Sequence, residues 1–340
     1  MKIGIGIIGY GSITPFHVKS ILELENCKLI AIQSSNEEKR RKISNEIGVL
    51  SFASYEEIFS QKTIQLIIIC TPSGFHLGPA IAAMQAGKHV VVEKPLEITT
   101  ARCKKMIDVS KEYNVSLSCI FQNRYSLDYL KVFDSVRSGE LGRLLMGSAS
   151  IKWKRDQAYY DATNWRGTIK GDGGAVLINQ GIHTIDQLIN LMGKVKTVSG
   201  SIRTLIHNIE GEDVATATLE FENGAIANIE ASTSMYKAFP EKLEIHGEKG
   251  SIILEGGKII HWESEQCGKL NISNTDLNSG ASDSLAIDYT LHKRQLNEII
   301  TAIINGNTPP VNVKEAIQSI AVIEGIYRSS LKGEKIDIKH

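Results

Sequence analysis

The feature that most constrains this chain is a glycine turn, Gly9-Tyr10-Gly11-Ser12-Ile13-Thr14, set between the apolar run Ile3 to Ile8 and the stretch Ile13 to Leu24, whose apolar residues fall at helical spacing. A strand that feeds a helix through two closely spaced glycines lets the backbone turn tightly and approach a pyrophosphate, whose charge then sits at the helix N-terminus. Gly9, Gly11, Ser12 and Ile13 are therefore read as part of a dinucleotide site. Thr14 stands where a third glycine or alanine is usual, which predicts a slightly wider helix-to-strand spacing.

The second strand ends Ala31-Ile32-Gln33-Ser34-Ser35-Asn36. An NAD site usually places an acid for the ribose hydroxyls there, about 20 residues past the glycines. Two hydroxyls with Lys39, Arg40 and Arg41 close by suit a 2′-phosphate instead. Ser34, Ser35 and Arg40 are read as cofactor residues, and NADP is favoured over NAD. The competing reading of those cations is a solvated helix face.

Beyond the turn, strand-length runs (Ile3 to Ile8, Lys28 to Ile32, Leu66 to Cys70, His89 to Val92, Val115 to Cys119) alternate with helix-period stretches (Ile13 to Leu24, Glu37 to Ile47, His76 to Ala86, Thr99 to Tyr113). Strands this apolar must be buried on both faces, which predicts a doubly wound parallel sheet with crossover helices. After Tyr125 the pattern changes. A helix to about Arg137 and a strand from Leu144 to Lys154 precede segments around Val198 to Thr204, Val214 to Phe221, Ala225 to Ser232, Leu243 to His246, Ser251 to Leu254 and Lys258 to Trp262. Asn223-Gly224 is a hairpin signal, and Ala215, Ala217, Leu219 and Phe221 alternate with polar residues as in a one-sided antiparallel sheet. The fold class is thus an α/β dinucleotide domain, residues 1–122, plus an α+β domain with an open, mostly antiparallel sheet, residues 123–340. Asn271 to Ser284 reads as a surface loop. The two terminal helices, Leu285 to Ile304 and Val313 to Ser330, are expected to pack back on the first domain.

At about 150 residues per domain, 340 residues agree with two domains. Lys+Arg 38 against Asp+Glu 38 gives a net charge of +0, so no bulk field draws the chain to nucleic acid or acidic lipid. The five cysteines are scattered without CxxC spacing, which predicts reduced thiols, no metal site and a cytoplasmic protein.

Two further stretches end strands at the carboxyl edge, where open α/β sheets bind ligands: Cys70-Thr71-Pro72-Ser73 and Glu93-Lys94-Pro95. Lys94 follows the buried run Val90-Val91-Val92 and is placed to aim an ammonium into the crevice, with a turn residue as the bland alternative. Pro95 is a candidate for a cis bond. His183, in an apolar stretch read as a helix from Gln180 to Asn190, is either a core histidine or a proton acceptor suited to neutral pH. On that helix Asn179 and His183 would lie one turn apart, and Asp186 would orient the imidazole or face solvent.

These motifs resemble the Gfo/Idh/MocA oxidoreductase family. The glycine turn, Thr71-Pro72-Ser73-Gly74-Phe75-His76, Gly87-Lys88-His89-Val90, Glu93-Lys94-Pro95, Gln122-Asn123-Arg124-Tyr125 and Gly181-Ile182-His183-Thr184-Ile185-Asp186 occur in its order, over essentially the whole chain. The resemblance implies a Rossmann domain, a second domain whose open sheet mediates homo-oligomer contacts (dimer or tetramer), and hydride transfer between NAD(P) and a sugar alcohol or ketone. It implies that Lys94 positions the substrate hydroxyl, that His183 is the acid/base, and that Thr71, Pro72, His76, Glu93, Lys94, Asn123, Trp165 and Arg166 join the glycine turn in holding cofactor. Arg124, Tyr125, Tyr160, Asn179 and Tyr236 are the expected lining of a sugar pocket, with rim positions as the alternative for the aromatics. Many members carry aspartate where this chain has Asn179. With Trp165-Arg166-Gly167-Thr168 upstream, the chain looks more like the branch that includes nucleotide-sugar 3-dehydrogenases, which implies a reaction at C3 of a nucleotide-linked hexose. The competing functions are a non-catalytic nicotinamide-responsive binding protein and an enzyme that cycles a tightly bound cofactor internally.

Overall fold

The computed structural model describes residues 2–269, 288–311 and 313–339. The loop expected at Asn271 to Ser284 lies outside the described residues. The chain divides into two compact units, Met1–Gln122 with Asp288–Ile317 and Asn123–Ile287 with Gln318–His340.

In the first unit β1 (Ile3–Ile8), α1 (Thr14–Leu22), β2 (Cys27–Gln33), α2 (Glu37–Lys42), β3 (Leu50–Phe52), α3 (Tyr55–Phe59), β4 (Leu66–Ile69), α4 (Leu77–Gln85), β5 (His89–Val92), α5 (Thr100–Glu112) and β6 (Leu117–Cys119) follow one another. The strands are parallel in the order β3-β2-β1-β4-β5-β6. Every residue of β1 and of β4 is buried, which requires cover on both faces and explains why these strands read as unbroken apolar runs. The strand order reverses between β1 and β4. The turns leaving these two strands therefore flank the switch point at which such sheets bind ligands.

Two elements of this unit were not visible in the sequence pattern. Strand β3 has three residues, and α3 has five, started by a capping box between Ser54 and Glu57; neither is long enough to show a period. The expected helix Glu37 to Ile47 divides instead into α2 and a wider π turn, Ile43–Ile47, that ends on Gly48 at φ 71°.

The second unit contains α6 (Leu127–Ser138), β7 (Leu144–Lys152), α7 (Gln157–Asp161), α8 (Ile182–Met192) and the strands β8 (Val195–Arg203), β9 (Val214–Phe221), β10 (Ile226–Ser232), β11 (Lys242–Gly247), β12 (Gly250–Glu255), β13 (Lys258–Ser264) and β14 (Gly268–Lys269). Among the described residues its sheet runs β14-β13-β12-β11-β7-β10-β9-β8 and is antiparallel except where β7 meets β10. Helix α8 lies hard against β7: a Cβ added to Gly147 would stand 2.9 Å from Leu188 Cδ1. The opposite face is open, and Met146 and Ile226, register partners on β7 and β10, are each 49% exposed.

Helix α9 (Thr290–Ile304) returns to the first unit, where Leu296, Ile299 and Ile300 are fully buried in its core. Helix α10 (Val313–Lys332) leads to β15 (Ile336–Asp337), which completes the second sheet beside β8. No helix among the described residues is long and apolar enough to cross a membrane.

Candidate active site

The glycine turn leaves β1 with Gly9 at φ +96°, and a Cβ there would lie 2.8 Å from the carbonyl oxygen of Cys70. Only glycine fits both the left-handed backbone and that approach. At Gly11 nothing among the described residues stands within 4 Å of an added Cβ, so the turn keeps an open cradle at the start of α1. That is the shape a pyrophosphate needs, and the residues present fit an NAD(P) group. Thr14 is integral to the turn: its hydroxyl donates to Gly9 O at 3.1 Å and accepts from Gly11 N at 3.1 Å.

At the end of β2, Arg40 Nη1 donates to the carbonyl oxygens of Ser34 (2.8 Å) and Ser35 (3.0 Å), while Lys39 Nζ reaches Tyr10 O at 2.9 Å. Two cations are thereby tied to the glycine turn and the strand end. Arg41, by contrast, pairs with Glu37 on the solvated face of α2.

The turns after β4 and β5 are strapped together by His76. Its Nδ1 and Nε2 each lie 2.9 Å from a carbonyl oxygen, those of Pro95 and Thr71. Burial pushes this imidazole toward its neutral form. Thr71 Oγ1 donates to Phe75 O at 3.1 Å, which closes its own turn. Glu93 is buried and meets His17 Nε2 at 2.6 Å through Oε1, while its Oε2 accepts from the Lys94 backbone N–H at 3.1 Å. The Lys94–Pro95 bond is cis. His17, on α1, is thus attached directly to the Glu93-Lys94-Pro95 turn.

In the second unit the histidine helix differs from expectation. Helix α8 begins at Ile182, and Val176–Gln180 forms a π turn before it, closed by Gly181 N to Val176 O at 2.7 Å. Asn179 is on that turn and His183 on the helix, so the two do not share one regular helical face. The cause is Glu212, whose buried carboxylate accepts from Leu177 N (2.8 Å), Ala175 N (3.1 Å) and the Tyr327 hydroxyl (3.0 Å). Asn179 Nδ2 donates to both oxygens of Asp172 at 2.8 Å. His183, 9% exposed, occupies the first turn of α8.

Asp186 neither faces solvent nor serves to orient His183. Arg124 Nε and Nη2 fork onto it at 2.6 and 2.8 Å, and Ser319 Oγ donates at 3.0 Å. Through these two bonds the Arg124 guanidinium ties its own turn to α8. Asn123 O accepts from Gln187 Nε2 at 3.1 Å in the same seam, and Tyr125 is buried. Tyr236 is 90% exposed. A cleft of about 370 Å³ is bounded by Tyr160, Asn164, Arg166, Thr168, Asn208 and Glu210. The Tyr160 hydroxyl bonds Thr233 at 2.9 Å, and Arg166 lies over the Tyr159 ring at 4.4 Å and the Trp165 ring at 5.5 Å.

A dinucleotide turn and an edge lysine in one unit, with a buried histidine at the head of a helix in the other, are the equipment of a nicotinamide-dependent oxidoreductase. The chain belongs to the Gfo/Idh/MocA family: the model described as "Oxidoreductase family, NAD-binding Rossmann fold" matches residues 3–121, and the GFO/IDH/MocA C-terminal domain matches residues 129–253. It is 28% identical to scyllo-inositol 2-dehydrogenase (NADP(+)) IolW of Bacillus subtilis, over 99% of this chain and 96% of that one. A second relative from the same organism, scyllo-inositol 2-dehydrogenase (NAD(+)), is 26% identical over 73% of this chain and 72% of its own. Among solved structures it resembles the WlbA dehydrogenase from Bordetella pertussis in complex with NADH and UDP-GlcNAcA, with 29% identity, 100% of both chains covered and a TM-score of 0.89. The protein is an NAD(P)-dependent oxidoreductase of this family.

Proposed function

We propose that the protein transfers hydride between NAD(P) and a secondary alcohol or ketone of a sugar, at C3 of a nucleotide-linked hexose, with Lys94 and His183 as its catalytic residues. The observation that carries the reading is the full-length likeness to the WlbA dehydrogenase, whose complex contains NADH and UDP-GlcNAcA. The polar cleft of the second unit supports it, because Arg166 and the Asn164 and Asn208 amides suit a ligand rich in hydroxyl and phosphate oxygens.

The bound nicotinamide supplies the hydride acceptor or donor. The chain's own residues have the remaining tasks. In the oxidative direction His183 takes the hydroxyl proton at an imidazole nitrogen. The Lys94 ammonium holds the substrate oxygen and stabilises the alkoxide charge that develops on it. Gly9, Gly11, Ser12 and Ile13 seat the pyrophosphate. Ser34, Ser35 and Arg40 favour a 2′-phosphate and hence NADP, whereas the relatives use either coenzyme. The open sheet face around Met146 and Ile226 is the proposed homo-oligomer contact.

The test is turnover followed by reduced-nicotinamide absorbance, with UDP-hexoses and inositols each paired with NAD(+) and NADP(+). Turnover of UDP-hexoses is expected. Turnover of inositols alone would overturn the nucleotide-sugar reading in favour of the polyol chemistry named for the IolW relative. Lys94→Ala and His183→Ala should each lose about 10²–10⁴-fold in rate while cofactor binding persists. Light scattering on the purified chain tests the oligomer.

A further inference from the structure

Three groups from three separate elements converge on the Glu93 carboxylate, and the reading above gives no task to two of them. His17 comes from α1 and His292 from α9; Lys94 is the next residue in the chain. Glu93 Oε1 stands 2.6 Å from His17 Nε2 and 3.8 Å from His292 Nε2, while Oε2 accepts the Lys94 backbone N–H at 3.1 Å. The two imidazoles meet edge to face at 5.4 Å. His292 is 1% exposed, and among the described residues neither of its ring nitrogens has a hydrogen-bond partner. An apolar side chain would fill that space without leaving polar atoms unsatisfied, so a buried imidazole there points to a polar task.

The three ligand atoms lie within 4.8 Å of one another, a spacing compatible with a metal ion. The 2.6 Å contact argues otherwise: two ligands at zinc distances in a tetrahedral site sit roughly 3.3 Å apart. A separation shorter than that is a charge-assisted hydrogen bond.

The electrostatics agree. Burial works to raise the Glu93 carboxyl, but the hydrogen bond and charge of His17, with the charges of His292 and Lys94, overcome it and hold the group at about 2. Burial pushes His292 down to about 4, against the attraction of Glu93, so its ring is neutral in ordinary buffers. The remaining titratable groups that feel this charge are Cys70, whose thiol is pushed well up by burial and by Glu93, and His76; Asp288 acts on His292.

We propose that His17, Glu93 and His292 form a buried charge clamp that fixes the Lys94 backbone and keeps the Lys94 side chain an ammonium. Glu93 supplies the negative charge. His17 tethers the carboxylate, and His292 walls it from water and offers a second donor a short movement away. All three are positioning residues, and their relevance to hydride transfer rests on the reading of Lys94 as catalytic.

Competitive acylation of Lys94 across pH, read by mass spectrometry, reports the ammonium directly and needs no substrate. Glu93→Gln should lower the midpoint of Lys94 labelling by roughly one pH unit or more. His17→Leu leaves the carboxylate buried without its donor, so it takes up a proton and the midpoint falls in the same direction. His17→Gln, whose amide can donate to the carboxylate, should restore most of the wild-type profile. Should Glu93→Gln fail to fold, the two His17 variants carry the test.

In turnover, the base-side limb of the kcat profile should move with the labelling midpoint. Identical labelling profiles in wild type, Glu93→Gln and His17→Leu would overturn the clamp. Stoichiometric Zn²⁺ binding by the wild type, abolished by His292→Phe, would overturn it in favour of a metal centre. Full activity of Lys94→Ala would instead sink the catalytic reading, and the labelling result would still decide the clamp.

Discussion

The Asn179 side-chain amide donates to both carboxylate oxygens of Asp172 at 2.8 Å. A carboxylate can only accept, so the contact fixes which end of the amide is which: Nδ2 faces Asp172 and Oδ1 faces away. Asp172, a buried side chain seven residues earlier, also accepts Gly167 N at 3.0 Å.

That arrangement makes Asn179→Asp a costly change here, although it restores the commoner family residue. Two carboxylates at hydrogen-bond distance cannot both ionise, and one donor pair is lost. The expected loss is roughly 1–3 kcal/mol of stability, with lower kcat/KM. The reciprocal pair Asp172→Asn with Asn179→Asp should recover part of it, with a coupling of about 0.5–3 kcal/mol in a double-mutant cycle. Denaturant unfolding checks the prediction, and wild-type stability in Asn179→Asp would refute it.

The two glycines of the nucleotide turn should separate folding from binding. An alanine Cβ at Gly9 would meet Cys70 O at 2.8 Å with φ at +96°, so Gly9→Ala should cost about 1–3 kcal/mol in stability along with cofactor affinity. At Gly11 an added methyl meets nothing within 4 Å among the described residues. Gly11→Ala should leave stability within about 0.5 kcal/mol and still weaken NAD(P)H binding, because the methyl enters the cradle. Thermal melts and fluorescence titration of reduced cofactor distinguish the two. Unchanged binding in Gly11→Ala would remove the pyrophosphate from this turn.

Glu212 should give the protein an alkaline weakness. Burial pushes its carboxyl up to about 7, against the hydrogen bonds from Leu177, its own backbone, Ala175 and Tyr327. The folded value exceeds the unfolded one near 4.5, so the folded state retains the proton longer. The stability associated with it is complete below pH 4.5 and is lost as pH rises through 7, by roughly 3 kcal/mol. Unfolding free energy should fall between pH 5 and pH 8, and Glu212→Gln should flatten that slope. An equal slope in both proteins would show that Glu212 is ionised throughout.

These examples show which parts of the molecule the sequence could reveal. Strands β1, β4 and β5 were legible because burial on both faces writes an unbroken apolar run. The hairpin at Asn223-Gly224 was legible because its turn needs Gly224 at φ +86°. Lys94 and His183 stood out through local motifs. What surrounds them did not, because it depends on residues distant in sequence. Glu212 grips a turn 35 and 37 residues away, Tyr327 reaches Glu212 across 115, and His292 meets Glu93 from a terminal helix. The π turn at Val176–Gln180 is itself a product of the Glu212 contacts, so helical periodicity alone misplaced Asn179 on the His183 helix. Short elements such as β3 and α3 carry too few residues for any period to register.

The Arg124–Asp186 pair seats α8. Both side chains are nearly excluded from solvent, at 9% and 1%, and the guanidinium meets the carboxylate through two hydrogen bonds of 2.6 and 2.8 Å, with Ser319 adding a third at 3.0 Å. Removing one partner of a buried pair strands the other charge, so Asp186→Leu should cost about 3–5 kcal/mol, and Arg124→Leu a similar amount. Arg124→Lys keeps the charge and loses the fork, and should fall in between. The double variant Arg124→Leu with Asp186→Leu leaves no stranded charge and should be far more stable than either single change. Because α8 carries His183 three residues before Asp186, the single variants should also lower kcat more than they weaken cofactor binding. Urea unfolding and cofactor titration on the four variants decide the matter. Additive losses in the double variant would show that the two side chains do not act as a pair.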